Sequence, residues 1–194
     1  MARVHRVQRS NKDHVCGVGG HVIPKGEPYL WAKPGFRTRT PKVRCVNHPF
    51  RESDLATGMN QEPLAAREAF IDTLDGLEEY DYDGLREAVE EFQSALDDYV
   101  SVREEALDAW ENGNGTLEEL RDNAQQARDD FEPDVEEFDE EEPDRGDFEG
   151  DPDDDDDDGQ DEYDQEVIEW EGRRDDHWEN AVEEARSAAE GLDL

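Results

Sequence analysis

The segment that decides the fold begins as His14-Val-Cys16-Gly-Val-Gly-Gly-His21 and ends as Arg44-Cys45-Val-Asn-His48. It holds both cysteines and three of the five histidines of the 194-residue chain. Thiols and imidazoles grouped in two short clusters across a loop are typical of a small metal site, most simply a zinc site. The sequence therefore predicts a structural Zn²⁺ ion bound by Cys16, His21, Cys45 and His48.

A metal-free alternative is that Cys16 and Cys45 are small core residues and that the histidines lie on the surface. A unit of about 45 residues with few large apolar side chains would then be marginally stable, because domains below about 40 residues usually need a covalent or metal staple. A structural zinc contributes on the order of 10 kcal/mol to such a unit. These considerations favour zinc, and four protein ligands leave no open position for a catalytic water.

Short strands and turns are predicted between the two ligand pairs. Val22-Ile23 and Tyr29-Leu30-Trp31 flank the turn-rich segment Pro24–Pro28, which predicts a β-hairpin. Arg37 to Arg44 alternates basic and small residues and leads into Cys45 as a further strand. With the second ligand pair at the start of a turn or short helix, the predicted order is knuckle, hairpin and helix, as in treble-clef fingers.

These residues also carry a family resemblance. The string Cys16-Gly…Gly20-x-x-Ile23-Pro-Lys-Gly26-Glu-x-Tyr29, followed by Arg44-Cys45-x-x-His48-Pro and Ser53-Asp-Leu55, resembles small zinc-finger proteins of tailed phages and prophages, viruses of haloarchaea among them. The resemblance implies a treble-clef-like finger followed by an acidic coiled-coil half. The finger alone is distantly similar to the treble-clef fingers of poly(ADP-ribose) polymerases, which bind DNA breaks.

The first ligand pair departs from the pattern of those families. They usually have Cys-x2-Cys in the first knuckle, whereas Gly19 stands at the place of the second cysteine. His21 is predicted to supply the missing ligand, because its longer side chain could reach back. His14 is the rival for the same role.

Charge divides the chain into two unlike parts. Residues 1–60 contain eleven Lys/Arg and four Asp/Glu, a net charge of +7, whereas the whole chain has a net charge of −37. Such asymmetry indicates two parts with different partners. Adaptation to a salt-rich cytoplasm would also explain an acidic surface, but all four lysines lie within the first 42 residues, so acidification was not uniform.

The basic part predicts a nucleic-acid-binding surface, with DNA as the expected ligand. Phosphate-contacting side chains give affinity without sequence specificity. Residues 1–13 form either a basic arm or a flexible tail, and the sequence does not decide between the two. The predicted binding residues are Arg3, Arg6, Arg9, Arg37, Arg39, Lys42 and Arg44.

Downstream of a zinc-finger-like module over residues 14–58, the chain is predicted to be α-helical and acidic. Apolar residues at three- and four-residue steps predict a helical hairpin or coiled coil over 61–131, which could form a homodimer. Residues 132–162 are rich in Asp and Glu and are predicted to be a disordered acidic linker. An amphipathic helix follows over 163–194 and would fold back on the hairpin or dock on a partner.

Three classes of function are compatible with these features. The first is a non-enzymatic, zinc-finger-type nucleic-acid-binding protein of viral or prophage origin, whose acidic region modulates binding. The second is an assembly protein or acidic DNA mimic, in which zinc is purely structural and the acidic region binds a basic protein. A nuclease is the least supported class, since Asp13-His14 is its nearest acid–base pair. Neither a signal peptide nor a membrane span is predicted, which gives an expected cytoplasmic location in a cell or infected host.

Overall fold

The computed structural model describes residues 2–35, 40–110, 114–148 and 158–194, and shows a mixed β/α fold. The five strands are β1 Val4–Val7, β2 His14–Val15, β3 Val22–Ile23, β4 Tyr29–Ala32 and β5 Lys42–Cys45. The α-helices are α1 Glu52–Leu55, α2 Gln61–Leu74, α3 Tyr82–Asp108, α4 Gly115–Asp130 and α5 Asp158–Glu190. Short 3-10 turns lie at Gly58–Asn60 and Arg145–Phe148. No helix in these ranges is both long and apolar enough to span a membrane.

The strands form two antiparallel sheets. One is three-stranded with the order β1-β4-β5, and the other is the β2–β3 hairpin. The predicted hairpin between Val22-Ile23 and Tyr29-Trp31 is therefore wrong, because β3 pairs with β2 while β4 pairs with β1 and β5. The reason lies in the intervening turn, whose Lys25 amide donates to Asp13 Oδ1 and whose Gly26 amide donates to the Ser10 carbonyl. These bonds hold the turn against the loop before β2 and direct β4 away from β3.

The N-terminal residues are part of the sheet. Val4–Val7 pair with β4 in the register Val4↔Ala32 to Val7↔Tyr29, so residues 1–13 are neither a free arm nor a tail. Arg3, Arg6 and Arg9 still lie on the surface, since all three are exposed. The strand was not predicted, because β1 pairs with a part of the chain more than twenty residues away.

Helix α1 joins the head, defined as the described residues up to 60, to the helical body that follows. The Arg51 guanidinium forms two hydrogen bonds to the Asp72 carboxylate on α2, at 2.6 and 3.0 Å. The Ser53 amide donates to Glu68 at 2.9 Å, and Arg67 pairs with Glu52. These contacts dock the head on α2.

The core of the helical body is formed by α2, α3, the end of α4 and α5. Phe70, Phe92 and Phe131 meet at its centre, with ring centroids 4.8 to 5.7 Å apart. Helices α3 and α4 pack together over most of their length, as the apolar seam predicted. Helix α4 begins at Gly115, and the Asn114 side chain caps it by accepting a hydrogen bond from the Thr116 amide at 3.1 Å. Helix α5 folds back on the body and buries Trp178.

The acidic segment differs from its prediction. Residues 132–144, the acidic strap, are extended chain that packs against the body through the half-buried Val135 and Phe138. Trp170 Nε1 donates to the Glu140 carbonyl at 3.1 Å, and Arg173 pairs with the Glu140 carboxylate at 2.8 Å. Glu137 also pairs with Arg86 at 2.6 Å, so two apolar anchors and two ion pairs to the body hold a segment whose composition predicted disorder. Residues 149–157 of the predicted linker lie outside the described residues, and α5 begins at Asp158 rather than 163.

Candidate metal centre and basic surface

The first ligand pair lies on the tight loop that joins β2 to β3. The Cys16 amide donates to the His21 carbonyl and the Gly20 amide to the Cys16 carbonyl, both at 2.9 Å. Gly20 has φ of +64°, a left-handed conformation that a glycine adopts without steric cost. The loop therefore closes on itself and brings the side chains of Cys16 and His21 to the same place.

The second pair lies at the end of β5. Cys45 is the last residue of the strand, and the following turn is closed by a hydrogen bond from the His48 amide to the Cys45 carbonyl at 3.2 Å. The two pairs are tied together by backbone contacts. The Gly17 amide donates to the Val43 carbonyl at 2.8 Å, and the Cys45 amide approaches the Cys16 sulfur at 3.5 Å.

These contacts bring Cys16, His21, Cys45 and His48 into one group that could hold a metal ion. One ligand atom from each residue lies within 4.8 Å of those of the others. His48 Nδ1 is 3.6 Å from the Cys16 sulfur and 3.3 Å from the Cys45 sulfur. Both cysteines are buried free thiols, while His21 lies on the exposed side of the group.

His14 does not join this group. Its ring packs on Tyr29, with centroids 4.2 Å apart, and its buried Nε2 has no hydrogen-bond partner among the described residues.

The structure also accounts for Gly19 at the place of the expected cysteine. A Cβ atom there would lie only 2.7 Å from His21 Nδ1, so the missing side chain is what gives the His21 ring its room.

The surroundings of Cys16 favour its thiolate. Burial raises the pKa of the thiol, but hydrogen bonds from the backbone at Gly19, Cys45 and Val18 and from His48 outweigh burial and lower the pKa to about 6. The ordinary pKa of a thiol is near 9, so Cys16 is already deprotonated at neutral pH. A thiolate is the form that ligates a metal.

This pKa predicts how the metal-bound head responds to acid. Since the folded-state pKa is below the ordinary value, the stabilisation from the thiolate is complete at alkaline pH and disappears as pH falls to about 6. We expect the Cys16 proton to have little effect on metal affinity above about pH 6, and the affinity to fall as the pH decreases below about 6, where a proton must be displaced from the sulfur. Metal content measured after equilibration at stepped pH tests this, and release already above about pH 7 would contradict it.

A second prediction concerns Gly19. We expect Gly19→Ala to displace the His21 ring, because the new Cβ would also come within 3.2 Å of His48 Cε1. Metal affinity should fall by about 10- to 100-fold, the usual effect of disturbing a residue that positions a ligand. Competition with a chromophoric chelator measures this change. Gly26→Ala is the control, since no atom lies near its Cβ position, and its effect should be limited to backbone strain.

The residues predicted to bind nucleic acid have different surroundings. Arg44 is largely used within the head, where it pairs with Asp54, donates to the Pro49 carbonyl at 3.1 Å and lies over the Phe50 ring. Lys42 is exposed and donates to the Asp54 carbonyl at 3.2 Å. Arg37 and Arg39 lie outside the described residues.

Apart from Arg51, which pairs with Asp72, the other basic side chains of the head have no ion-pair partner among the described residues. Three of these side chains are lysines that were not included among the predicted binding residues. The confinement of all four lysines to the first 42 residues could have indicated that they belong to the same basic surface. The basic set consists of Arg3, Arg6, Arg9, Lys12, Lys25 and Lys33, all of them exposed. In contrast, seven arginines of the body pair with a carboxylate: Arg67, Arg86, Arg121, Arg128, Arg173, Arg174 and Arg186.

The predicted acid–base pair of a nuclease is not arranged as one. Asp13 Oδ1 accepts a hydrogen bond from the Lys25 amide at 2.8 Å, while His14 packs on Tyr29. A cleft of about 1040 Å³ lies between the head and the C-terminal residues. Its charged lining is mixed, with Lys33 and Arg67 beside Glu52, Glu190 and Asp193.

Comparisons with protein-family models, curated proteins and solved structures gave no match. The resemblance to small phage zinc-finger proteins therefore remains a prediction from the motif residues. What the site does must be argued from its own geometry and charge.

Proposed function

We propose that the chain is a non-enzymatic nucleic-acid-binding protein whose head is held together by a structural zinc ion. Cys16, His21, Cys45 and His48 would supply the ligands, and the exposed basic set of the head would contact phosphates. The acidic helical body would restrict nucleic acid to the basic surface of the head, because the carboxylates of the body repel phosphates.

The spacing of the ligand atoms supports zinc. Tetrahedral zinc has bonds of about 2.3 Å to sulfur and about 2.0 Å to nitrogen, so a sulfur and a nitrogen on the same ion lie roughly 3.6 Å apart. The two sulfur–nitrogen distances to His48 Nδ1 are 3.6 and 3.3 Å, close to that value. Two sulfurs with two imidazoles are a common ligand set for structural zinc. The order of elements, with a first ligand pair on a tight loop, a sheet, a second ligand pair and a short helix, resembles that of treble-clef fingers.

The observation that carries the nucleic-acid proposal is the isolation of positive charge. Arginines of the body pair with carboxylates, as expected in a chain with a net charge of −37. The basic set of the head has no such partner among the described residues, even though acidic residues are abundant. Unpaired cations on one small unit indicate an anionic partner from outside the chain, and a polyphosphate backbone fits several cations at once.

Salt-dependent binding of the full-length, zinc-loaded chain to a labelled oligonucleotide tests the proposal. We expect the logarithm of the affinity to fall linearly with the logarithm of salt concentration, because each phosphate contact releases counterions. Replacing Arg9, Lys12 and Lys25 with Gln should reduce the slope by about 1 for each phosphate-binding side chain removed.

The matched control for that test replaces Arg121, Arg128 and Arg173 on the body with Gln. It removes the same amount of positive charge, and its salt slope should not change, because these arginines already pair with carboxylates. Absence of binding at low salt would refute the proposed function.

A further inference from the structure

The head carries an aromatic pair beside its basic residues. His5 on β1 lies directly opposite Trp31 on β4, and their rings are stacked with centroids 4.2 Å apart and planes within 12°. Both side chains are half-buried rather than enclosed. Among the described residues, each ring is in ring contact only with the other.

The metal-bearing hairpin covers only part of this sheet face. The His14 ring lies over Tyr29, and Cys16 and Ile23 pack against Tyr29 and Val43. The cross-strand row that contains His5 and Trp31 lies next to the row that contains Tyr29. Both rows are on the same face of the sheet, because residues two apart on a strand point the same way. Trp31 also lies opposite Val43, at the covered end of this row, whereas His5 lies at the other end, on the edge strand β1.

Positive charge borders the aromatic pair. Arg3 immediately precedes β1 and is two residues before His5, a separation of up to about 7 Å along extended chain. Lys33 lies opposite Arg3 one step beyond the paired register, and both side chains are exposed. No ion pair to a described carboxylate neutralises either residue. A stacked aromatic pair beside unpaired cations is the combination that proteins use to bind single strands.

We propose that the head binds single-stranded nucleic acid by stacking a base on the His5–Trp31 pair, with Arg3 on the adjacent phosphate. The inference rests on the proposed function and adds the kind of nucleic acid. Bases within a duplex stack on one another, so a duplex offers this surface only its phosphates. An unpaired base has a free ring face, and stacking on an aromatic side chain depends little on which base it is.

Three probes of equal length separate stacking from phosphate contact: a single-stranded oligothymidine, a single strand of abasic sites, and a duplex. Fluorescence anisotropy with the full-length, zinc-loaded chain measures each affinity. We expect oligothymidine to bind about 10-fold more tightly than the abasic strand, the effect of one stacked base. Equal binding of all three probes would overturn the inference but leave the proposed function intact. Binding of none would overturn both.

Variants of His5 test the residues themselves. We expect His5→Ala to weaken oligothymidine binding by about 10-fold and to leave abasic-strand binding unchanged, while His5→Phe restores the affinity. Val4→Ala is the control, since Val4 lies on the same strand and faces the other side of the sheet. Unchanged oligothymidine binding by His5→Ala would overturn the inference. So would an equal decrease on both strands, which would indicate damage to the fold.

Discussion

Cys16→Ser is expected to abolish metal binding and to unfold the head while leaving the helical body intact. The Cys16 side chain is fully buried at the contact between the β2–β3 hairpin and β5, and its sulfur lies 3.6 Å from His48 Nδ1. Removing this thiolate removes most of the stabilisation of about 10 kcal/mol that a structural zinc supplies. The body has its own core around Phe131 and should stay helical. Metal content by native mass spectrometry and helicity by far-ultraviolet circular dichroism measure the two effects.

Two histidine variants provide the matched comparison for this prediction. His21→Ala should lose the metal, because His21 belongs to the ligand group. His14→Ala should keep about one zinc ion per chain, since His14 packs on Tyr29 outside the group. The reverse result, with metal absent from the His14 variant and kept in the His21 variant, would contradict the ligand assignment.

Phe131→Ala is expected to destabilise the helical body by about 3–5 kcal/mol, the usual effect of removing a buried phenylalanine. The side chain is 1% exposed and meets Phe92 edge-on at 4.8 Å and Phe70 edge-on at 5.7 Å. Phe131, at the end of α4, therefore packs against both α2 and α3. The cavity left by Phe131→Ala would lie between three helices, which cannot all move inward to fill it. Urea unfolding followed by circular dichroism measures the change.

Trp110→Ala is the control for Phe131. Trp110 is another large aromatic residue of the body, but its side chain is 58% exposed at the end of α3. Its removal should change the free energy of unfolding by no more than about 0.5 kcal/mol. If the two variants had equal stability, the core assigned to the body would be wrong.

Much of the candidate metal site could be predicted from local sequence. Cys45 and His48 are close in the chain, and the glycines after Cys16 signal a tight loop. The prediction of His21 rather than His14 agrees with the group that the fold brings together. The sequence did not show why His21 can reach the site, because its position depends on the space that Gly19 leaves for the His21 ring.

Long-range pairing was the part that local patterns missed. The arginines in and around β1 suggested a basic arm or a flexible tail, although Val4–Val7 pair with Tyr29–Ala32 much further along the chain. Arg44 looked available to phosphate, but Asp54 and Phe50 approach it only in the folded head. The acidic strap was predicted to be disordered because of its high charge. Its two apolar anchors have little effect on the average composition of the segment, so the composition did not reveal them.

The contrast between paired and unpaired cations also required the structure. Composition gave residues 1–60 a net charge of +7 and the body an excess of acids, but it did not tell which cations were neutralised. Seven body arginines pair with nearby carboxylates, whereas the basic set has no ion-pair partner in the described part of the chain. This contrast is the observation on which the proposal of a nucleic-acid partner for the head depends.

Oligothymidine affinity of the full-length chain before chelation, after chelation and after zinc is restored tests the central claim most directly. The claim is that a metal bound by Cys16, His21, Cys45 and His48 holds the surface that binds nucleic acid. We predict salt-sensitive binding by the zinc-loaded chain, disappearance of that binding on chelation, and recovery when zinc is added back. Binding that is unaffected by chelation, or absent from the zinc-loaded chain, would contradict the claim.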